Sequence, residues 1–132
     1  MSYAMLSEQL AVAATIDPAN VSPSTVTTDV IDLSRARRVL FIIAVGSLGA
    51  SATIDFAVKG DTTSGGSFTT TLTSKDIVQL TKAGSDDNKQ AIVEVSAGEA
   101  AAQGFRYVRG ALTVGTAASQ ACVVALAGDL RY

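Results

Sequence analysis

The sequence predicts a single all-β domain, an antiparallel β-sandwich of about eight strands with at most one short helix. Hydrophobic residues make up 48% of the chain and aromatic residues only 5%, so the core must be built largely from Val, Ile, Leu and Ala. Short apolar or alternating segments recur roughly every 12 residues, separated by turn-forming clusters. The length of 132 residues fits one domain, which we place at residues 1–132, with residues 1–15 as a candidate extended N-terminal arm.

The strand candidates are separated by turn signals such as Asp17-Pro18, Ser22-Pro23 and the glycine-containing segments 60–66, 84–89 and 98–104. They lie at about 9–16, 25–34, 37–46, 52–60, 67–73, 89–97, 105–114 and 121–131. The spacing suits a sandwich or a barrel. Composition favours a β-sandwich that associates with itself or with a partner.

The uncharged segment 39–46 poses the first structural question. With its continuation to residue 52 it has about 14 apolar or small residues, fewer than the ~20 of a membrane-spanning helix. Its β-branched residues instead predict a strand buried on both faces. The next segment alternates, with Ile54, Phe56 and Val58 on one face. We therefore predict that residues 37–60 form a core hairpin.

The turn of this predicted hairpin, Gly46-Ser47-Leu48-Gly49, also invites a phosphate-binding interpretation. That interpretation is weak, because the Lys-Ser/Thr ending of a Walker A loop is missing and the chain continues into a strand rather than a helix.

A short helix is predicted at residues 74–82, with Ser74 as its N-cap and Asp76 in its first turn. The alternative for this segment is an apolar loop that plugs one end of a sheet.

Composition argues against catalysis and against most ligands. There is no histidine to act as a base or metal ligand, and the net charge of −2 offers no basic surface for nucleic acid. We interpret Asp86, Asp87 and Asn88 as a solvated turn rather than a calcium site, and Cys122 as a small core residue. We expect no enzyme activity, no cofactor, no metal, no small-molecule substrate, and no nucleic-acid or membrane partner.

A single cysteine forms no intrachain disulfide, and the N-terminal residues lack the features of a signal peptide. We expect the protein to be made in a reducing cytoplasm.

Three groups of residues at the chain ends and at one corner are candidate contacts with a partner surface or another subunit. They are Tyr3, Leu6 and Leu10; Arg35, Arg37 and Arg38; and Leu130, Arg131 and Tyr132. The apolar N-terminal tract could lie across a neighbouring surface. The arginine cluster could bind an acidic partner surface, or it could be a solvated corner that protects a strand edge from aggregation.

Four segments resemble a known family: DVIDLSRARRVLFIIAVGSLGASATIDFAVKGD, IVQLT, FRYVRGALTVGTAAS and VVALAGDLRY. Together they resemble the head decoration, or cement, proteins of tailed bacteriophages and their prophage-encoded relatives, over roughly residues 29–132. The resemblance implies a jelly-roll-like sandwich, and the count of about eight strands agrees with one.

The resemblance also implies a role. Such a protein binds the outer surface of an HK97-type capsid, clamps neighbouring major capsid subunits and stabilises the expanded shell. It forms dimers or trimers at local symmetry axes. We therefore expect the chain on the capsid exterior of a virion, after synthesis in the host bacterial cytoplasm.

Two other functions remain open from the sequence. One is a different phage structural role on the same fold, in a tail or fibre. The other is a small-ligand or carbohydrate-binding β-sandwich, which the lack of tryptophan and the three tyrosines disfavour.

Overall fold

The computed structural model describes residues 5–130, without the side chains of residues 129 and 130. Within this range there are ten strands and two short helices. In chain order they are α1 (Leu6–Gln9), β1 (Ala11–Val21), β2 (Ser24–Thr27), β3 (Ile31–Asp32), β4 (Ala36–Val45), β5 (Thr53–Asp61), β6 (Thr70–Asp76), β7 (Leu80–Thr81), β8 (Gln90–Ser96), α2 (Ala97–Ala102), β9 (Tyr107–Gly115) and β10 (Ser119–Leu130).

The strands form two antiparallel sheets. The first sheet has the order β1-β10-β4-β8, and the second has the order β2-β9-β5-β6, with β3 beside β9 and β7 beside β5. Both β2 and β3 pair with β9, and both β6 and β7 pair with β5. Each of these two pairs therefore acts as one interrupted strand. The eight resulting strands have the order 1-8-3-6 facing 2-7-4-5, which is a jelly roll. The predicted fold class is confirmed.

The core lies between the two sheets and is made from alternate residues of each strand. Phe41 of β4 and Phe56 of β5 are almost fully buried, and their ring centroids are 5.5 Å apart. Gly110 of β9 lies diagonally beside Phe56 of β5 in the second sheet, and a Cβ atom at position 110 would collide with the Phe56 ring. Aliphatic side chains of β9 and β10, such as Leu112 and Val123, fill the rest.

The predicted strand 25–34 is interrupted at Thr28, which lies between β2 and β3 and is 3% exposed. The Thr28 amide donates to the Gly110 carbonyl oxygen at 2.9 Å, so the segment stays attached to β9 across the break. This interruption and the one between β6 and β7 explain why ten strands are found where about eight are predicted.

The predicted helix at 74–82 is wrong. Residues 74–76 continue β6, and Leu80–Thr81 form β7. The amide of Ile77 donates to the Phe56 carbonyl oxygen at 3.1 Å, so the open edge of β5 provides backbone partners along the segment. Ile77 and Leu80 pack on the core while Val78 is 89% exposed. Tertiary pairing overrides the local capping signal at Ser74, which has a φ of 63°.

A helix forms instead at Ala97–Ala102, from the last residue of the predicted strand 89–97 into the predicted turn 98–104. The Ser96 hydroxyl accepts from the Glu99 amide at 3.1 Å, and a Glu99 carboxylate oxygen accepts from the Ser96 amide at 3.0 Å. This capping box is the signal that the sequence interpretation missed. With α1, the described chain has two short helices rather than at most one.

The predicted hairpin at 37–60 is also wrong. β4 belongs to the first sheet and β5 to the second, so residues 46–52 cross between the sheets. β4 pairs with β10 and β8, while β5 pairs with β9 and β6, which leaves neither strand an edge for the other. No helix among residues 5–130 has the length and apolar character to cross a membrane.

Candidate interaction surface

The outward side of the first sheet is apolar. On its two central strands Leu40 stands opposite Leu126, and Ile42 stands opposite Val124. Ala44 stands opposite Cys122 in the next outward row. We name this surface the apolar face and define it by Val12, Leu40, Ile42, Ala44, Ile92, Cys122, Val124 and Leu126.

The two flanking strands extend the apolar face to both edges of the sheet. Val12 of β1 lies opposite Leu126 and is 65% exposed, and Ile92 of β8 lies opposite Ile42 and is 66% exposed. With strands ~4.8 Å apart and ~3.3 Å per residue, the face covers on the order of 300 Å² in projection. This is about the size of the largest apolar patch on a typical monomer, and such patches are often functional.

The outward side of the second sheet differs in chemistry. Its central strands place Asp55, Lys59, Arg109 and Thr113 outward, and β2 adds Thr25. A Thr25 hydroxyl lies 3.0 Å from that of Thr113. The sandwich therefore has one polar outer surface and one apolar outer surface.

This asymmetry follows from the sequences of β4 and β10, which are apolar at nearly every position along residues 39–45 and 121–127. Successive residues of a strand point to opposite faces, so a continuous apolar run makes both faces apolar. Burial of β4 on both faces, as predicted, is wrong: Leu40, Ile42 and Ala44 remain half-exposed. A two-layer sandwich has no third layer to cover them.

The prediction that Cys122 is a core residue is wrong for the same reason. The neighbours Ala121 and Val123 point into the core and are buried, so residue 122 points outward. Cys122 is a free cysteine and is half-buried on the apolar face.

Polar groups border the apolar face at its two ends. At one end a shallow depression is lined by Gln9, Leu10, Arg38, Leu40, Glu94, Leu126 and Gly128. Leu10 packs over Gly128, where an added Cβ would lie 3.4 Å from Leu10 Cδ2. At the other end the border includes Pro18, Asn20 and Gln120. An apolar centre with a polar rim is the usual anatomy of a protein interface.

The structure brings two of the predicted contact residues, Leu10 and Arg38, to the end of the apolar face that carries Glu94 and Gly128. Leu6, in α1, is 72% exposed. Arg35 and Arg37 are exposed at the corner before and within β4, and Arg35 borders a separate depression beside Val30.

The remaining predicted contacts lie at the chain ends. Leu130 ends β10 opposite Ala36, and its side chain is not described. Tyr3, Arg131 and Tyr132 lie outside the described residues.

The turn that contains Asp86 and Asp87 carries two ion pairs. Asp86 accepts from Lys89 Nζ at 2.7 Å and from the Thr81 amide at 2.9 Å. Asp87 accepts from Lys82 Nζ at 2.8 Å. The Lys89 ammonium lowers the pKa of Asp86, and the Lys82 ammonium lowers the pKa of Asp87. Both carboxylates thus tie the turn to its own flanks, and no metal-binding group of three or more Asp, Glu, Cys or His forms within residues 5–130.

Comparison with known proteins identifies no family. No family model matches the chain, and no curated protein matches it significantly. The fold does resemble solved structures, beginning with the Bacillus endospore appendages that form disulfide-linked pili, at 11% identity, over 91% of this chain and 88% of that one, with a TM-score of 0.49.

Two viral structures are also similar. Desmodium yellow mottle tymovirus matches at 8% identity, over 93% of this chain and 89% of that one, with a TM-score of 0.43. The infectious bursal disease virus Gx strain matches at 9% identity over 93% of this chain, with a TM-score of 0.45, and this chain spans 33% of that one. At these identities and scores we transfer no function from any of the three.

Proposed function

We propose that this chain is a non-enzymatic structural protein of a tailed-phage virion, a decoration protein that binds the outer surface of an HK97-type capsid. The observation that carries the proposal is the apolar face of the first sheet, opposite a polar outer surface on the second. The sequence resemblance over roughly residues 29–132 supports the choice of partner, the major capsid protein.

In this role the apolar face lies against the shell and the polar sheet faces solvent. Removing the face from water favours docking by roughly 25 cal/mol per Å² of apolar surface, before the entropic costs of association are subtracted. Arg38 and Glu94, of opposite sign at one end of the face, fix the orientation of the docked subunit more than they add affinity.

The stabilisation of the capsid is a matter of mass action. A subunit that bridges neighbouring capsid proteins only in the expanded lattice stabilises that lattice in proportion to its differential affinity. A modest contact repeated at many identical sites adds up over the whole shell. The protein is then made in the host bacterial cytoplasm and resides on the capsid exterior, and it needs no cofactor, small-molecule substrate, nucleic acid or membrane.

The proposal is tested by co-sedimentation of the purified chain with expanded and unexpanded heads of the phage that encodes it, followed by imaging of the particles. We expect saturable binding at fixed lattice positions with a preference for expanded heads. Val124→Glu places a charge at the centre of the apolar face and should weaken binding at least tenfold. Thr113→Glu is the matched control, an outward position on a central strand of the polar sheet, and should bind normally.

Failure of the native chain to bind either form of head would overturn the decoration role, and recovery of the chain in tails would favour the other phage structural role. Equal loss of binding in both variants would remove the apolar face as the docking surface.

A further inference from the structure

The strand β8 forms an unusually regular sheet edge. Within residues 5–130 the two sheets have four open edges. The β1 edge contains Pro18 and two register shifts. The edge of β2 and β3 is broken after Thr27, and the edge of β6 and β7 has both a register shift and a break after Asp76. β8 pairs with β4 without interruption, from Ser96 opposite Arg38 to Gln90 opposite Ala44.

The direction of the backbone groups of β8 follows from one hydrogen bond. The Val45 amide donates to the Lys89 carbonyl oxygen at 3.0 Å, and these residues stand opposite each other when the β4–β8 register is continued by one residue. Hydrogen-bonded pairs alternate along an antiparallel ladder. The odd-numbered residues of β8 therefore bond to β4, and the amides and carbonyls of Gln90, Ile92 and Glu94 point to the open edge.

This edge is accessible, and Glu94 is its one charged side chain. The side chains of Gln90, Ile92 and Glu94 are exposed, and no backbone group of these three residues bonds to anything on the open side within the described chain. The strand has no proline, lysine or bulge to discourage pairing. At the C-terminal end of β8 the Ser96 amide is not free, because it donates to the Glu99 carboxylate.

We propose that β8 pairs with β8 of a second copy of this chain, antiparallel and across a two-fold axis at Ile92. Ile92 then stands opposite its own symmetry mate, and Gln90 stands opposite Glu94 at both ends. All three residues present their backbone groups to the edge, so the three pairs form about six backbone hydrogen bonds. The first sheet becomes an eight-stranded sheet that runs through both molecules.

A second copy fits this edge because the register is self-complementary. The Glu94 carboxylate meets the side-chain amide of Gln90, and the two Ile92 side chains meet each other on the outward side. An axis at Glu94 would instead set two carboxylates against each other. The pairing at Ile92 also joins the apolar faces of the two copies into one surface, since Ile92 is the β8 member of that face.

This inference goes beyond the proposed function and does not depend on it, because the dimer forms in solution without a capsid. The full chain is studied by size-exclusion chromatography with light scattering and by analytical ultracentrifugation over a range of concentrations. We expect a mass of twice the chain mass. Ile92→Lys and Ile92→Glu should each be monomeric, because like charges then face each other at the axis. An equimolar mixture of the two variants should restore dimers.

The matched control is Val12→Lys on the opposite edge of the same sheet, where the native side chain is as exposed as Ile92. It should remain dimeric. Circular dichroism melts establish that all variants fold. Amide hydrogen exchange then distinguishes edge pairing from contact between faces: Gln90, Ile92 and Glu94 amides should exchange at least tenfold more slowly in the dimer than in the Ile92→Lys monomer.

Three results would overturn the inference. One is a native chain that is monomeric at every concentration. If Ile92→Lys also blocks binding of such a monomer to heads, the β8 edge pairs with a capsid strand instead of a second copy. Another is a dimer that Ile92→Lys leaves intact or that the charge-swapped mixture does not restore. The third is a dimer whose residue 90, 92 and 94 amides exchange as fast as in the monomer.

Discussion

Thr28 and Gly110 are joined by two hydrogen bonds inside the sandwich. The Gly110 amide donates to the Thr28 hydroxyl at 2.9 Å, and the Thr28 amide donates to the Gly110 carbonyl oxygen at 2.9 Å. The Thr28 hydroxyl in turn donates to the Asp29 carbonyl oxygen at 2.9 Å. A side chain thus takes the place of a ladder bond where β2 stops and β3 has not yet begun.

Thr28→Val should destabilise the protein by roughly 1–3 kcal/mol, because it keeps the side-chain shape and leaves the buried Gly110 amide without an acceptor. Urea denaturation at pH 7 measures the free energy of unfolding. Thr25→Val is the control, since among the described residues the Thr25 hydroxyl bonds only to the exposed Thr113 hydroxyl, and it should change stability by less than about 0.5 kcal/mol. An equal change in the free energy of unfolding in the two variants would mean that the hydrogen bond from the Gly110 amide to the Thr28 hydroxyl does not stabilise the fold.

The ion pair of Asp32 and Arg106 should make stability depend on acid pH. Arg106 Nε and Nη2 donate to the two Asp32 carboxylate oxygens, each at 3.0 Å. This bidentate pair holds the pKa of Asp32 well below its usual range. The native state therefore binds fewer protons than the unfolded chain when the pH falls below about 4, the ordinary pKa of aspartate. The stabilisation is complete above that value and is lost progressively below it.

Asp32→Asn should lower the melting temperature at pH 7, and its difference from the native chain should shrink between about pH 4 and pH 2. Thermal melts at pH 7, 4, 3 and 2 measure this difference. Asp29→Asn removes a neighbouring carboxylate that has no ion pair among the described residues, and should melt like the native chain at pH 7. A difference between Asp32→Asn and the native chain that stays constant with pH would contradict the prediction.

Cys122 reports directly on whether the apolar face is covered. It is the only cysteine in the chain and is half-buried on that face. We expect a maleimide to modify the free protein completely, and at least tenfold more slowly when the protein is bound to heads. The β8-paired dimer should stay reactive, because β4 separates β10 from β8. The modified fraction is measured by mass spectrometry, with the urea-unfolded chain as the reference. Unchanged reactivity on saturated heads would place the docking surface elsewhere.

The fold class could be predicted because it depends on signals that each segment carries locally. The alternation of Ile54, Phe56 and Val58 predicts a strand with one buried face, and the structure buries all three. Turn-forming clusters between such segments indicate a sandwich without any knowledge of which strands pair. The positions of most strands follow from the same signals to within a few residues.

Strand pairing could not be predicted in this way. The apolar segment 37–46 and the alternating segment 52–60 are consecutive and joined by a short glycine-containing turn, which favours a hairpin. Their true partners, β10 and β9, are distant in sequence, and jelly-roll topology sends the two strands to different sheets. The helix predicted at residues 74–82 is wrong for a related reason, since backbone pairing with the edge of β5 outweighs the local preference for a helix.

The apolar face has a signal in the sequence, namely continuous apolar runs, but such runs also predict strands that are buried on both faces. Runs such as 39–45 and 121–127 are apolar at successive positions, which predicts two apolar faces for each strand. Residue pattern alone establishes an all-β chain with strands of this length, an aliphatic core and no histidine chemistry. The fold adds which of the two apolar faces is left uncovered within the described chain, because Leu40, Ile42 and Val124 become neighbours only when β4 pairs with β10 in a sheet that has no third layer above it.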